Sequence, residues 1–235
     1  MKNRPQHNSS GSPSQPAPLC DLGKAILDGA VNNDSKEVAL EFAEIGLHSV
    51  LEEGILKEVP ILRTVFAVWK TGTAIHDRLF LRKVASFILA SPKFTRHERE
   101  SFAREHLSDP EKTKKLTDAI VLILDKLDDL DKPLMLAKVF AALVRGKIDL
   151  ESFRRLAAAI DIGFLSDLRA LCEKSALDLH AGLAQNLLRT GLVEIDEEKD
   201  RMAVAQVPGR LWLAYRLNNL GKAFINCTTE GDAPA

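Results

Sequence analysis

The chain has 235 residues, 46% of them hydrophobic and 28% charged, with 32 Lys plus Arg against 33 Asp plus Glu and a net charge of -1. That is a globular composition with enough apolar surface for one large core or two smaller ones. The near balance of charge argues against a protein that binds nucleic acid along its length.

Residues 1–18, MKNRPQHNSSGSPSQPAP, are polar and Pro/Ser-rich where a secretory signal would carry its apolar stretch, and they read as a disordered tail. Helical signals then follow one another closely through residues 19–162. NDSKEVALEFAEIGLHSVLEEG opens with Asp34 three residues before Glu37, a capping-box-like start, and stops at Gly54.

VPILRTVFAVWK, residues 59–70, is the most apolar stretch. A membrane-spanning helix needs about 20 largely apolar residues. Lys57 and Glu58 precede this run, Arg63 interrupts it and Lys70 ends it, so a span is excluded. Pro60 suits a first helical turn. At about 100° per residue, Ile61, Leu62, Val65, Phe66, Val68 and Trp69 share one face, with Arg63 and Lys70 on the other. Such a helix packs into a helical array, meets a partner, or lies on a membrane surface. LFLRKVASFILA continues the pattern: Phe80, Leu81, Val84, Phe87 and Ile88 share a face. A helical hairpin, or a long helix bent at Gly72, fits both runs. Charge is uneven here, with nine acids against three bases in residues 21–60 and nine bases against four acids in residues 61–106.

Thr95 with Glu98 three residues on is a capping box, opening a charge-laced helix on which His97 and His106 read as exposed. In the next helix, residues 108–130, Ser108 or Asp109 is the expected cap, with Pro110 just inside. Leu116, Ile120, Ile123, Leu124 and Leu127 keep the helical period. Asp118, Asp125, Asp128 and Asp129 then fall on the solvent face, interleaved with Lys126 and Lys132, so they do not converge on a metal. DKPLMLAKVFAALVRG begins at an Asp cap and ends at Gly146, and DLESFRRLAAAIDIG runs to Gly163.

The pattern changes in residues 163–228. Two short helices, FLSDLRALCEK and LDLHAGLAQNLLRTG, lead through Gly191 into LVEID. The charged turn EEKD joins LVEID to RMAVAQV as an expected β-hairpin. LWLAYRL and an Asn-capped helix, NNLGKAFINC, follow. This is the order of a winged helix-turn-helix, with residues 229–235 as a second tail. The expected fold is mainly α, a multi-helix array followed by a small winged-helix-like domain.

Catalytic and metal-binding patterns are not evident. His97 and His106 lack the spacing of four that puts two ligands on one helical face, and Gly221-Lys222 follows no glycine-rich run. Cys20, Cys172 and Cys227 lie far apart without zinc-like spacing or a nominated base, and they read as buried thiols in a reducing compartment. The expectation is a non-enzyme without a cofactor. For DNA, the second short helix offers Arg189 with Asp178, His180, Gln185 and Asn186, and the wing region Lys199, Arg201 and Arg210 beside Glu197, Glu198 and Asp200. Phosphate neutralisation supplies most of the affinity for DNA, and this net-acidic segment suits protein contact better.

VPILRTVFAVWKTGTAIHDRLFLRKVASFI, and Gly191, Leu192, Val193, Tyr215, Leu217, Leu220, Gly221 and Phe224 in the tail, resemble the Abi-alpha-type abortive-infection proteins of bacteria. Asn218 stands where that family usually has Thr. The resemblance covers under half the chain. It implies a bacterial cytoplasmic protein connected with phage defence, and it carries over no catalytic residues.

The leading expectation is a non-enzymatic, cytoplasmic binding protein acting through protein contacts. Second comes a peripheral effector at the inner membrane surface, using the basic amphipathic helices around 59–90. Third comes a winged-helix DNA-binding regulator. Homo-oligomerisation is compatible with all three.

Overall fold

The computed structural model describes residues 19–32, 75–173, 181–197 and 214–229. Within them lie nine α-helices, a π-helical turn and two short strands. The helices are α1 (Leu19–Val31), α2 (Ile75–Ala90), α3 (Arg96–Phe102), α4 (Pro110–Lys126), α5 (Lys132–Val144), α6 (Leu150–Ile162), α7 (Leu165–Glu173), α8 (Ala181–Leu188) and α9 (Asn219–Thr229), with strands β1 (Val193–Ile195) and β2 (Tyr215–Leu217) between α8 and α9. The mainly helical expectation holds. The expected helix from Asp34 to Gly54, the amphipathic run 59–70 and the bend at Gly72 lie outside the described residues.

Helix α5 is the centre. All but Leu134 and Lys138 of its thirteen residues are buried, as expected of a helix covered on every side. It packs against α2, α6 and α9. Phe140 is the hub, with its ring 5.3 Å from that of Phe87, 5.9 Å from Phe102 and 6.0 Å from Phe153. These tilted and edge-on pairs join α2, α3, α5 and α6 with the geometry aromatic quadrupoles favour. The apolar face read on α2 is correct, since Phe80, Leu81, Val84, Phe87 and Ile88 are all buried. Against α4, α1 presents Gly23, where a Cβ would come within 2.5 Å of the Thr117 Cβ.

The helix ends follow the local sequence. Thr95 and Glu98 form the full capping box on α3. Burial works against ionisation of Glu98, but its bonds from the Thr95 backbone and hydroxyl and from Arg145 hold its carboxyl below the usual range. Asp109 caps α4, accepting from the Glu111 and Lys112 N–H groups, with Pro110 at the first helical position. Gly146, at φ 67°, ends α5 in the left-handed region glycine favours. There the Lys147 N–H reaches the Ala142 carbonyl at 2.9 Å and the Gly146 N–H reaches Leu143 at 3.0 Å, a Schellman closure.

Four expectations need correction. His106 is buried rather than exposed, because the chain passes from α3 into a π-helical turn, Ala103–Leu107, that rotates it onto the Phe102 ring at 5.0 Å. Helix α4 stops at Lys126, so Asp128 and Asp129 lie in the α4–α5 turn and not on its solvent face. Lys132 is 2% exposed. Its ammonium bonds the Asp128 carboxylate at 2.5 Å and the Asp161 carbonyl at 2.8 Å. Asp131 bounds α5 without a side-chain cap bond and pairs instead with Arg169 at 2.9 Å.

In the last segment β1 pairs antiparallel with β2, Val193 opposite Leu217 and Ile195 opposite Tyr215. The partner expected from alternation, RMAVAQV, lies outside the described residues, as does most of the EEKD turn. Asn218 is the cap read from sequence. Its Oδ1 accepts from the Gly221 N–H at 2.9 Å and its Nδ2 donates to the Gly191 carbonyl at 2.8 Å. One side chain thus ties the start of α9 to the turn before β1.

Candidate functional site

Arg189 is the one basic residue read from the sequence for DNA that falls among the described residues, and its surroundings point elsewhere. Helix α8 ends at Leu188, and Thr190 is buried with its hydroxyl donating to the Leu187 carbonyl at 2.6 Å. Gly191, at φ 73°, then redirects the chain into β1. Between these fixed points Arg189 reaches across to the α6–α7 turn. Its Nη2 donates to the Ile162 carbonyl at 3.2 Å, and its guanidinium lies 5.6 Å from the Phe164 ring centroid.

Phe164 is set there by the turn. Gly163 ends α6 in an extended conformation and packs so closely that a Cβ would meet the Ala159 carbonyl at 2.9 Å and Leu168 at 3.0 Å. The Phe164 carbonyl then starts α7, accepting from the N–H groups of Asp167 and Leu168 at 3.0 Å each. With its backbone fixed on both sides, its ring stays 62% exposed, beside Ile162 at 44%. Leu188, next to Arg189 in the chain, is also exposed. An exposed phenylalanine held under an arginine is the side-chain chemistry enriched at protein–protein contacts. Sequence reading passed over Phe164 because it lies outside any periodic face. The available signal was a large aromatic directly after a helix-ending glycine.

Three of the clefts on the described surface bear on the site. One of about 410 Å³ lies between the end of α1 and the π-turn, with Leu27, Val31, Phe102 and Leu107 in its walls. A second, of about 360 Å³, is lined by Met135, Lys138, Arg169, Cys172 and Thr228. There the Cys172 sulfur lies 3.1 Å from the Thr228 hydroxyl, and burial pushes the thiol above its ordinary pKa. A thiol held protonated is a poor nucleophile. Cys172 and Cys227 are thiols outside any disulfide, and both are partly buried. The third cleft, of about 500 Å³, lies between α6, the sheet and the start of α9.

Two buried lysines satisfy carbonyls at helix ends. Lys83 on α2 donates to the Asp125 and Leu127 carbonyls at 2.6 and 2.9 Å, across the end of α4. Lys132 does the same for the Asp161 carbonyl near the end of α6. Cations at helix C-termini satisfy unpaired carbonyls and oppose the dipole. Burial lowers the Lys83 pKa, while Asp125, Asp128 and Asp161 draw it back.

Among the described residues, no group of three or more His, Cys, Asp or Glu side chains could hold a metal, and no helix is long and apolar enough to cross a membrane. Ile61, Leu62, Arg63, Val65, Phe66, Trp69 and Lys70 lie outside the described residues, as do Lys199, Arg201 and Arg210. Compared with known proteins, the chain matches no family model, no curated protein and no solved structure.

Proposed function

We propose that this is a non-enzymatic bacterial binding protein that acts through protein contacts, with residues 163–228 as a winged-helix-like unit carrying part of the contact surface. The observation that carries this reading is the exposed Phe164 ring, with the Arg189 guanidinium over it and Ile162 beside it. An aromatic and an arginine already held against each other lose less freedom on binding and are the side chains that contribute most to contact energy. In a DNA reader, Arg189 would extend toward phosphate. Here its guanidinium is drawn onto Phe164 and the Ile162 carbonyl instead. The short helices, the paired strands and the closing helix α9 support the winged-helix-like reading. The resemblance to abortive-infection proteins supports phage defence as the proposed setting and the cytoplasm as the proposed compartment.

Affinity purification from bacterial cells, with and without phage infection, tests the proposal beside two other measurements on the full chain. Recovery of a stoichiometric protein partner supports it. Flotation with anionic vesicles that vanishes when Arg63 and Lys70 become Glu would transfer the reading to the membrane surface. Retention of a specific duplex at physiological salt, abolished by Arg189→Glu, would transfer it to DNA.

A further inference from the structure

We propose that the cleft between α6, the β1–β2 sheet and the start of α9 binds a small phosphate-bearing ligand. Three cationic side chains from three elements line it: Arg155 of α6, Arg216 of β2 and Lys222 of α9. Glu194 is the single acid in its wall. Glu194 accepts from the Arg216 Nε at 2.7 Å, and Glu151, outside the wall, accepts from the Arg155 Nε at 2.9 Å. Each arginine is therefore held through its Nε, and a bound oxyanion would join existing ion pairs at the rim of the cleft.

The first turn of α9 lines the same cleft, through Asn218, Asn219 and Leu220. Its position is fixed, because Gly221 packs so closely that a Cβ would lie 2.1 Å from the Leu192 carbonyl. The Asn218 side chain also joins that turn to the Gly191 carbonyl. The positive end of the helix dipole thus adds to the Lys222 charge and the two ion-paired arginines around one concavity.

Size and charge select the class of ligand. A cleft of about 500 Å³ lies within the range that holds a small molecule. Glu194 and Glu151 already pair with the two arginines, so Lys222 and the start of α9 supply the excess positive charge, which suits a small phosphate-bearing molecule. A polyanion such as nucleic acid needs a wide basic field, and the chain as a whole carries a net charge of -1. The site uses no glycine-rich loop, since Gly221-Lys222 lies inside α9.

The test is calorimetric titration of the full chain with inorganic pyrophosphate, acetate, a single-stranded oligonucleotide and phosphatidylglycerol vesicles. The parent should bind pyrophosphate, increasingly weakly as salt is raised, and should not bind acetate. Arg155→Gln with Lys222→Gln should weaken pyrophosphate binding by about tenfold or more, with an unchanged melting temperature because both side chains are exposed. Lys93→Gln with Lys126→Gln, exposed positions outside the cleft, should bind like the parent. Absence of pyrophosphate binding at 10 mM (about 3 kcal/mol of affinity) would overturn the proposal. So would equal loss in both double variants, equal binding of acetate, or binding confined to the oligonucleotide or the vesicles.

Discussion

The Lys132 ammonium, in the first turn of α5, donates to the Asp161 carbonyl near the end of α6, 29 residues on, at 2.8 Å. The same nitrogen pairs with Asp128, whose side chain is 73% exposed. Removing one member of a buried ion pair costs about 3–5 kcal/mol when it leaves a buried charge alone. Here the carboxylate left behind would be solvated. Lys132→Met, which keeps the aliphatic stem, should therefore cost less, about 1.5–3 kcal/mol for the charge-assisted bonds. Urea unfolding midpoints of parent and variant measure it, and a change under about 0.5 kcal/mol would show that the bonds contribute nothing net.

His106 should make stability depend on pH. Burial lowers its pKa below 6.5, outweighing the opposing pull of Glu105, and Lys112 on α4 adds to the lowering. The unfolded chain therefore takes up the proton more readily than the folded one. Stability from this group is complete above about pH 6.5 and is lost as pH falls through the lower folded value. Unfolding midpoints between pH 7.5 and 5 should fall less steeply in His106→Leu than in the parent (the pH limits bracket the histidine range, about 5–8). Identical slopes would remove His106 as the cause.

Two glycines give opposite expectations. Gly221→Ala places a methyl 2.1 Å from the Leu192 carbonyl, a backbone atom with little room to yield. The strain should cost about 1–3 kcal/mol or more and shift α9 away from the sheet. Gly182, near the start of α8, has nothing within 4 Å of the same position. Gly182→Ala should stabilise by about 0.4–1 kcal/mol by restricting the unfolded chain. Thermal unfolding of the pair checks both signs.

Much of the fold was legible because it is written locally. The Thr95–Glu98 box, the Asp109–Pro110 start, the Asn218 cap and the apolar face from Phe80 to Ile88 each depend on residues within a few positions of one another. What was missed depends on distance. Lys83 and Lys132 look like ordinary solvated lysines until α4 and α6 bring their terminal carbonyls to them. His106 sits on a charged stretch, and only the π-turn rotates it under Phe102. Val193 pairs with Leu217 across a long connection that alternation alone could not assign. For the contact surface, Arg189 was legible as an exposed cation, but its relation to Phe164 was not, since that depends on how α8 meets the α6–α7 turn.

The most direct measurement of the central claim is copurification with Phe164→Ser and Arg189→Glu combined, compared with the parent at matched expression. Phe164 is 62% exposed, so the substitutions should leave the melting temperature nearly unchanged. A protein partner captured by the parent should be lost from the variant. A folded variant that retains the same partner in the same amount would contradict protein contact through this surface.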